Sequence, residues 1–183
     1  RSGYDHDGDG FTELPVISSQ SVGMRSFFRT GAYSRITAQY HHIDEYRRGG
    51  DLLKQPPHEA FVAEQTDHAI DGGSLSFDIS SADRSNRFNA YASFQNTARK
   101  SYYGSKQDLD AYGTTHDLTL AAGMQYVHAF RKLLFMPSEL TLGTEYSYDD
   151  LSDRSVGYDI RTDQTVHIVG AYLQNEWKTR KWS

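Results

Sequence analysis

Not one cysteine occurs in the chain's 183 residues, so neither a disulfide framework nor a thiolate metal site is available to it. No apolar run approaches the roughly 18 residues that a transmembrane helix needs, and the mean hydropathy is only -0.69. Helical membrane spans are thereby excluded, whereas a membrane barrel is not, because its strands place apolar residues at every second position. Positive charge is in deficit. The formal net charge is -5 and the Lys and Arg residues are scattered, which excludes the basic stripe of a nucleic-acid-binding surface. Aliphatic residues are also sparse: 37% of the chain is hydrophobic, but 13 Tyr and 9 Phe supply much of that share, where a soluble core is usually richer in Leu, Ile and Val. The chain opens on Arg1 without a charged-then-apolar leader, so a targeting signal is expected to lie outside it, and export is left open.

Catalytic patterns are missing too. Ser, His and Asp are plentiful, yet no G-x-S-x-G elbow in a strand-to-helix context occurs. His41 and His42 are strand neighbours and point to opposite faces, and no His pair has i,i+4 spacing on a helix, so a zinc site is not expected. No catalytic residue is assigned, and an enzyme is not expected.

What is present begins with Asp5-His6-Asp7-Gly8-Asp9-Gly10-Phe11-Thr12-Glu13. Carboxylates at alternate residues, a glycine at the sixth position and a further carboxylate at the ninth form a calcium-loop pattern, since Ca²⁺ takes about six to eight oxygen ligands. Asp5, Asp7, Asp9 and Glu13 are the expected side-chain ligands, Phe11 supplies a carbonyl, and Asp51 in the next loop is a candidate to complete the shell. An EF-hand is not matched: Val16 stands where its bidentate Glu belongs, and no amphipathic helix flanks the loop. The plain alternative is an Asp-Gly hairpin turn, which supplies positive φ without any metal. Four converging carboxylates repel one another, and a simple turn has no need of them.

The rest of the chain alternates with period two, predicting about seven long strands and an all-β fold. Val22, Met24 and Phe28 oppose Ser21, Arg25 and Arg29 within 18–30, and Ile36, Ala38 and Tyr40 oppose Thr37, Gln39 and His41 within 34–47. The scheme repeats through Leu75, Phe77 and Ile79, then Phe88, Ala90, Ala92 and Phe94, then Leu118 to Tyr126, then Leu140 to Tyr148. In the last segment, 164–178, the phase is ambiguous, with Ala171, Leu173 and Trp177 expected on one face.

Connections alternate in length. Short turns are expected at 31–33, 83–86 and 131–137, and long polar loops at 49–64, 103–115 and 149–163. Short turns at one end and long loops at the other are the pattern of an antiparallel transmembrane β-barrel, with periplasmic turns and extracellular loops. Strands of about 12 to 16 residues exceed the roughly 9 to 11 that cross a bilayer, so they should project beyond it. Tyr40, Tyr46, Tyr102, Tyr103, Tyr126, Phe130, Tyr146, Tyr148 and Trp177 fall toward strand ends, where aromatic girdles sit. Arg25, Arg29, Arg47 and Arg48 are candidates for the polar wall of the lumen. A soluble sandwich alternates similarly, but with strands nearer five or six residues. About seven strands do not close a bacterial barrel, so residues 1–183 are expected to be a partial barrel domain with the acidic loop, 5–13, on its extracellular side.

Asp5 to Pro15 followed by Ser21-Val22-Gly23-Met24-Arg25-Ser26-Phe27-Phe28 resembles TonB-dependent outer-membrane receptors of the Bacteroides type. The resemblance extends to Tyr46-Arg47-Arg48-Gly49-Gly50-Asp51, Ala63 to His68, Tyr91 to Thr97 and Phe135 to Thr141. Within that superfamily the chain looks most like the vitamin B12 receptor branch, whose loops bind calcium beside a D-x-D-G-F motif, here Asp7-Gly8-Asp9-Gly10-Phe11. The resemblance implies a segment of a 22-stranded-type barrel in the bacterial outer membrane, surrounded by its lipid, that imports a scarce nutrient such as cobalamin. It further implies a plug that couples to the TonB complex, and a surface lipoprotein as a possible partner. Plug, TonB box and terminal aromatic strand are not among these residues, so this segment alone is not expected to transport. Receptors for siderophore, haem or glycan are the alternatives within the class. A secreted, calcium-stabilised β-domain for adhesion is the alternative outside it.

Overall fold

The computed structural model describes residues 3–177. Seven strands follow one another: β1 (Thr12–Gly31), β2 (Ser34–Gly50), β3 (Val62–Ser80), β4 (Asn86–Ser105), β5 (Tyr112–Leu133), β6 (Met136–Ser155) and β7 (Ile160–Trp177). They form a single antiparallel sheet in chain order, β1 to β7, open at both edges. The fold is therefore all-β, as the alternation predicts. Single-turn 3₁₀ helices interrupt two connections, at Pro57–Glu59 and Val156–Tyr158.

The strands run to between 17 and 22 residues, longer than the alternation alone marks out. Most of the difference falls at one end, although 131–133 and 136–137, expected in a turn, are in strands as well. Residues 62–64, 103–105, 112–115, 149–155 and 160–163, expected in loops, are paired in the ladder. Backbone pairing continues there because each added residue extends an existing register, whatever its side chain's polarity. At the other end the turns stay short: Ala32 and Tyr33, residues 81–85, and Leu134 with Phe135. Three short turns thus lie at one end of the sheet. The connections 51–61, 106–111 and 156–159 lie at the other, beside the acidic loop.

Reading across the hydrogen-bonded rows shows what the alternation builds. Phe28, Ile36, Phe77, Ala90, Met124, Thr144 and Ala171 stand side by side on one face, and two rows further on stand Met24, Tyr40, Gly73, Phe94, Leu120, Tyr148 and His167. The next row toward the loops is mostly polar: His42, Asp71, Asn96, Asp150 and Thr165 stand in it with Val22 and Leu118. This face therefore carries an apolar band a few rows deep, which gives way at one level on five of the seven strands and one row later on β1 and β5, with a polar zone above it. The band is uncovered; Met24 is 69% exposed and Leu173 71%. Ala171, Leu173 and Trp177 share this face.

The opposite face is polar and knitted by side chains. Arg35 pairs with Asp78 at 3.4 Å, Asn89 donates to Asp78 at 2.9 Å, Arg87 pairs with Glu139, and Tyr172 donates to Gln125 at 2.6 Å. The two faces are not interchangeable, because a one-residue slip would expose every charge of one to the other's surroundings.

The small buried core lies at the loop end. Ala60, Ala63, Tyr102 and Ala111 pack together, with Tyr102 edge-on to Tyr112 at 4.8 Å. Tyr102, expected in an interfacial girdle, is only 1% exposed and donates its hydroxyl to the Asp108 carbonyl at 2.9 Å. The expectation is corrected because the loops fold back over it. Tyr40, Tyr126, Tyr148 and Trp177 do lie at the margins of the band.

Candidate functional site

The acidic segment is a closed hairpin. Tyr4 and Leu14 exchange backbone hydrogen bonds, N to O, at 3.2 and 3.3 Å, holding residues 5–13 between them. Gly8 (φ 76°) and Gly10 (φ 89°) adopt left-handed conformations that a side chain disfavours, which lets the chain curl inward at both. The curl is fixed by Asp5, whose two carboxylate oxygens accept from the amides of Gly8 (2.7 Å) and Gly10 (3.0 Å). Asp9 accepts from the Phe11 amide at 2.8 Å and Glu13 from the His6 amide at 2.7 Å. Asp7 makes only a long contact, 3.4 Å from the Asp9 amide.

This geometry gathers the four carboxylates. Asp5, Asp7, Asp9 and Glu13 each offer an oxygen within 4.8 Å of the others, and all four residues are exposed. Two oxygens on opposite sides of a Ca²⁺ with Ca–O of about 2.3–2.6 Å lie about 4.6–5.2 Å apart, so the group is the size of one hard-cation shell. The residues present fit such an ion. Four formal negative charges so close repel one another, and a divalent cation relieves that repulsion.

Asp51 lies outside this group. Its carboxylate accepts from the amides of Phe61 (3.2 Å) and Val62 (3.0 Å), closing the loop 51–61 on itself. Phe11 is placed beside the cluster, its amide on Asp9, and it lines a groove of about 560 Å³ with Glu13, Arg47, Glu64, Tyr103 and Tyr158. Sequence reasoning missed Tyr158, which donates its hydroxyl to the Tyr103 carbonyl at 2.8 Å. The one local signal was Gly157, whose amide donates to the Asp110 carbonyl at 2.6 Å. A Cβ there would meet that carbonyl oxygen at 2.6 Å, so only glycine lets the two loops touch.

The four arginines read as one wall divide. Arg25, Arg29 and Arg47 stand on the polar face, whereas Arg48 falls on the other and is 1% exposed. Its guanidinium donates to the carbonyls of Gly49 and Asp51, the latter at 3.3 Å, anchoring the start of the same loop. The expectation for Arg48 is corrected because one residue along a strand reverses the face. That rule holds for the histidines: His42 contacts Asp71 (2.8 Å) and Asp44 (2.9 Å), while His41 lies over Gly72 on the other side.

No protein-family model, curated protein or solved structure matches the chain. Among the described residues the acidic hairpin is the one cluster with metal-ligand geometry, and the aromatic groove adjoins it through Phe11 and Glu13.

Proposed function

We propose that this chain is part of the β-barrel of a TonB-dependent outer-membrane receptor that captures a scarce nutrient, with cobalamin as the leading ligand. One observation carries the membrane part of the reading: seven consecutive strands share one uncovered apolar face, opposite a polar face stitched by hydrogen bonds. Contiguous apolar patches of this extent are foreign to the surface of a soluble monomer. In a barrel that face meets lipid and the polar face lines the interior. A secreted adhesion domain would be expected to cover the band with a second sheet, and all seven strands lie in one.

The ligand assignment is supported by the D-x-D-G-F resemblance and by the carboxylate group at the loop end. Calcium, held by Asp5, Asp7, Asp9 and Glu13, orders the hairpin and, through Phe11 and Glu13, one wall of the aromatic groove. Metal and nutrient binding are then linked, each strengthening the other. Coupling to the TonB complex runs through a plug outside these residues.

The test is cyanocobalamin binding by the detergent-purified parent protein, titrated in calcium and repeated after chelation. Tight binding that chelation weakens is the expected result. Absence of binding in both states moves the ligand to siderophore, haem or glycan and leaves the barrel reading standing.

A further inference from the structure

The face that carries the apolar band also holds a groove above it. There Ala69 and Ala98 pair across β3 and β4, with Asp44 beside Ala69 and His116 beside Ala98. The next row toward the loops carries Tyr46, Asp67, Lys100 and Thr114. These two rows line a hollow of about 540 Å³. The row beyond them is roofed: His58 of the loop 51–61 meets the Tyr112 hydroxyl at 2.7 Å, and Ala60 packs with Tyr102. The hollow therefore lies between a ledge of folded-back loop and the apolar band. Strands β2 to β5, which supply all of these rows, each have both neighbours in the sheet.

We propose that this groove holds the sugar headgroup of a membrane glycolipid whose acyl chains lie on the apolar band beneath. The charges of the groove are mixed, with Asp44 and Asp67 set against Lys100. A phosphate would meet both carboxylates as well as the ammonium, whereas sugar hydroxyls donate to the carboxylates and accept from the ammonium. These groups have capacity to spare. Asp44 receives His42 at 2.9 Å and its side chain is still 62% exposed; Asp67 accepts from the Gln65 amide at 3.2 Å; Lys100 makes no ion pair among the described residues. The paired methyls of Ala69 and Ala98 give the C–H face of a sugar ring an apolar floor, with polar groups at its rim to fix orientation. Height then decides between headgroups. Ala98 lies beyond Phe94, the last apolar residue of the band on β4, by about 13 Å of strand, which is about 9–11 Å along the membrane normal at the usual tilt. Simple headgroups extend only about 5–8 Å past the hydrocarbon, so a phospholipid stops short of the floor and a longer glycan reaches it. The inference rests on the barrel reading for lipid beside this face; the retained sugar is the added step.

The test uses the intact protein in its own membrane, with the photo-cross-linker p-benzoylphenylalanine in place of Thr114 at the groove, and separately in place of Met124 in the band of the same strand. Mass spectrometry identifies what each captures. The expected result is an acylated glycan joined through its sugar at position 114, and lipid of every headgroup at position 124. Asp44→Asn with Asp67→Asn should lower the yield at 114 about tenfold, a factor that one or two lost charge-assisted contacts readily supply, and leave the yield at 124 unchanged. If that pair does not assemble, Ala98→Phe fills the floor without removing a polar group and should have the same effect. While 124 still captures lipid, the groove assignment is overturned and the barrel spared by any of four results: no capture at 114, a phospholipid or a protein there, a glycan without acyl chains, or a yield that neither variant lowers. Failure to capture lipid at 124 overturns both.

Discussion

Tyr91 and Gly123 face one another across β4 and β5, and the tyrosine ring occupies the space a side chain at 123 would need. A Cβ there would lie 2.7 Å from the nearest ring carbon, and the ring is tethered by its hydroxyl, which donates to Glu145 at 2.6 Å. Gly143 and Tyr172, partners across β6 and β7, repeat the arrangement. Aromatic cover of a strand glycine offsets the missing side chain and pins the register.

Gly123→Ala is expected to destabilise the sheet by about 1–3 kcal/mol, the range for forcing an extra methyl into an occupied space. Gly143→Ala should cost more, because a Cβ there would meet the Tyr172 ring at 2.3 Å rather than 2.7 Å, and Gln125 holds that ring by its hydroxyl at 2.6 Å. Guanidinium unfolding of the detergent-solubilised protein checks the order; equal costs would show that the ring is not the obstacle.

Leu75 and Ser74 are neighbours on β3 facing opposite ways. Under the membrane reading, Leu75→Arg places a charge in the apolar band and should cost about 2–4 kcal/mol near the bilayer midplane. Ser74→Arg should be close to neutral. Heat-modifiability on gels, comparing folded fractions of the two variants, reads the difference, and equal tolerance would argue against lipid contact.

Within the acidic hairpin the carboxylates divide between shaping the loop and meeting an ion. Asp5 holds two amides, while Asp7 makes one long contact. Asp7→Asn should therefore weaken calcium binding about tenfold by removing a ligand charge, leaving the loop's shape intact. Asp5→Ala should loosen the hairpin with or without metal. Calorimetric titration with CaCl₂, together with amide exchange at Gly8 and Gly10, separates the two effects.

At the other end of the sheet, Asp83 is held down to about 2 from an ordinary 3.8. The Ser81 hydroxyl (2.5 Å) is the main cause, followed by the Ser85 amide (3.1 Å) and the Ser85 hydroxyl (2.8 Å). A depressed carboxylate favours folding above its unfolded value. The turn's contribution is thus complete above about pH 4 and fades as pH falls through about 2. Carbon-13 titration of the Asp83 carboxyl should find the low midpoint, and Ser81→Ala should raise it.

Period-two patterning is a local property, so the sequence alone determined the long strands, their two faces and the places of the short turns: Phe28, Phe77 and Met124 were apolar-side positions before any pairing was known. The acidic hairpin was equally legible, because its ligands lie within nine consecutive residues, Asp5 to Glu13, and its turn glycines lie among them. What only the tertiary structure decided concerns residues whose partners come from distant loops. Asp51 reads as a loop-tip carboxylate until the amides of Phe61 and Val62 come to it, and Arg48 reads as a wall charge until the loop folds over it. Tyr158 meets Tyr103, and Arg29 opposes Arg35, only once register fixes which residues stand side by side. Alternation specifies a side chain's face, but which neighbour it meets depends on hydrogen-bonded pairing and loop closure, and no short window of sequence contains these.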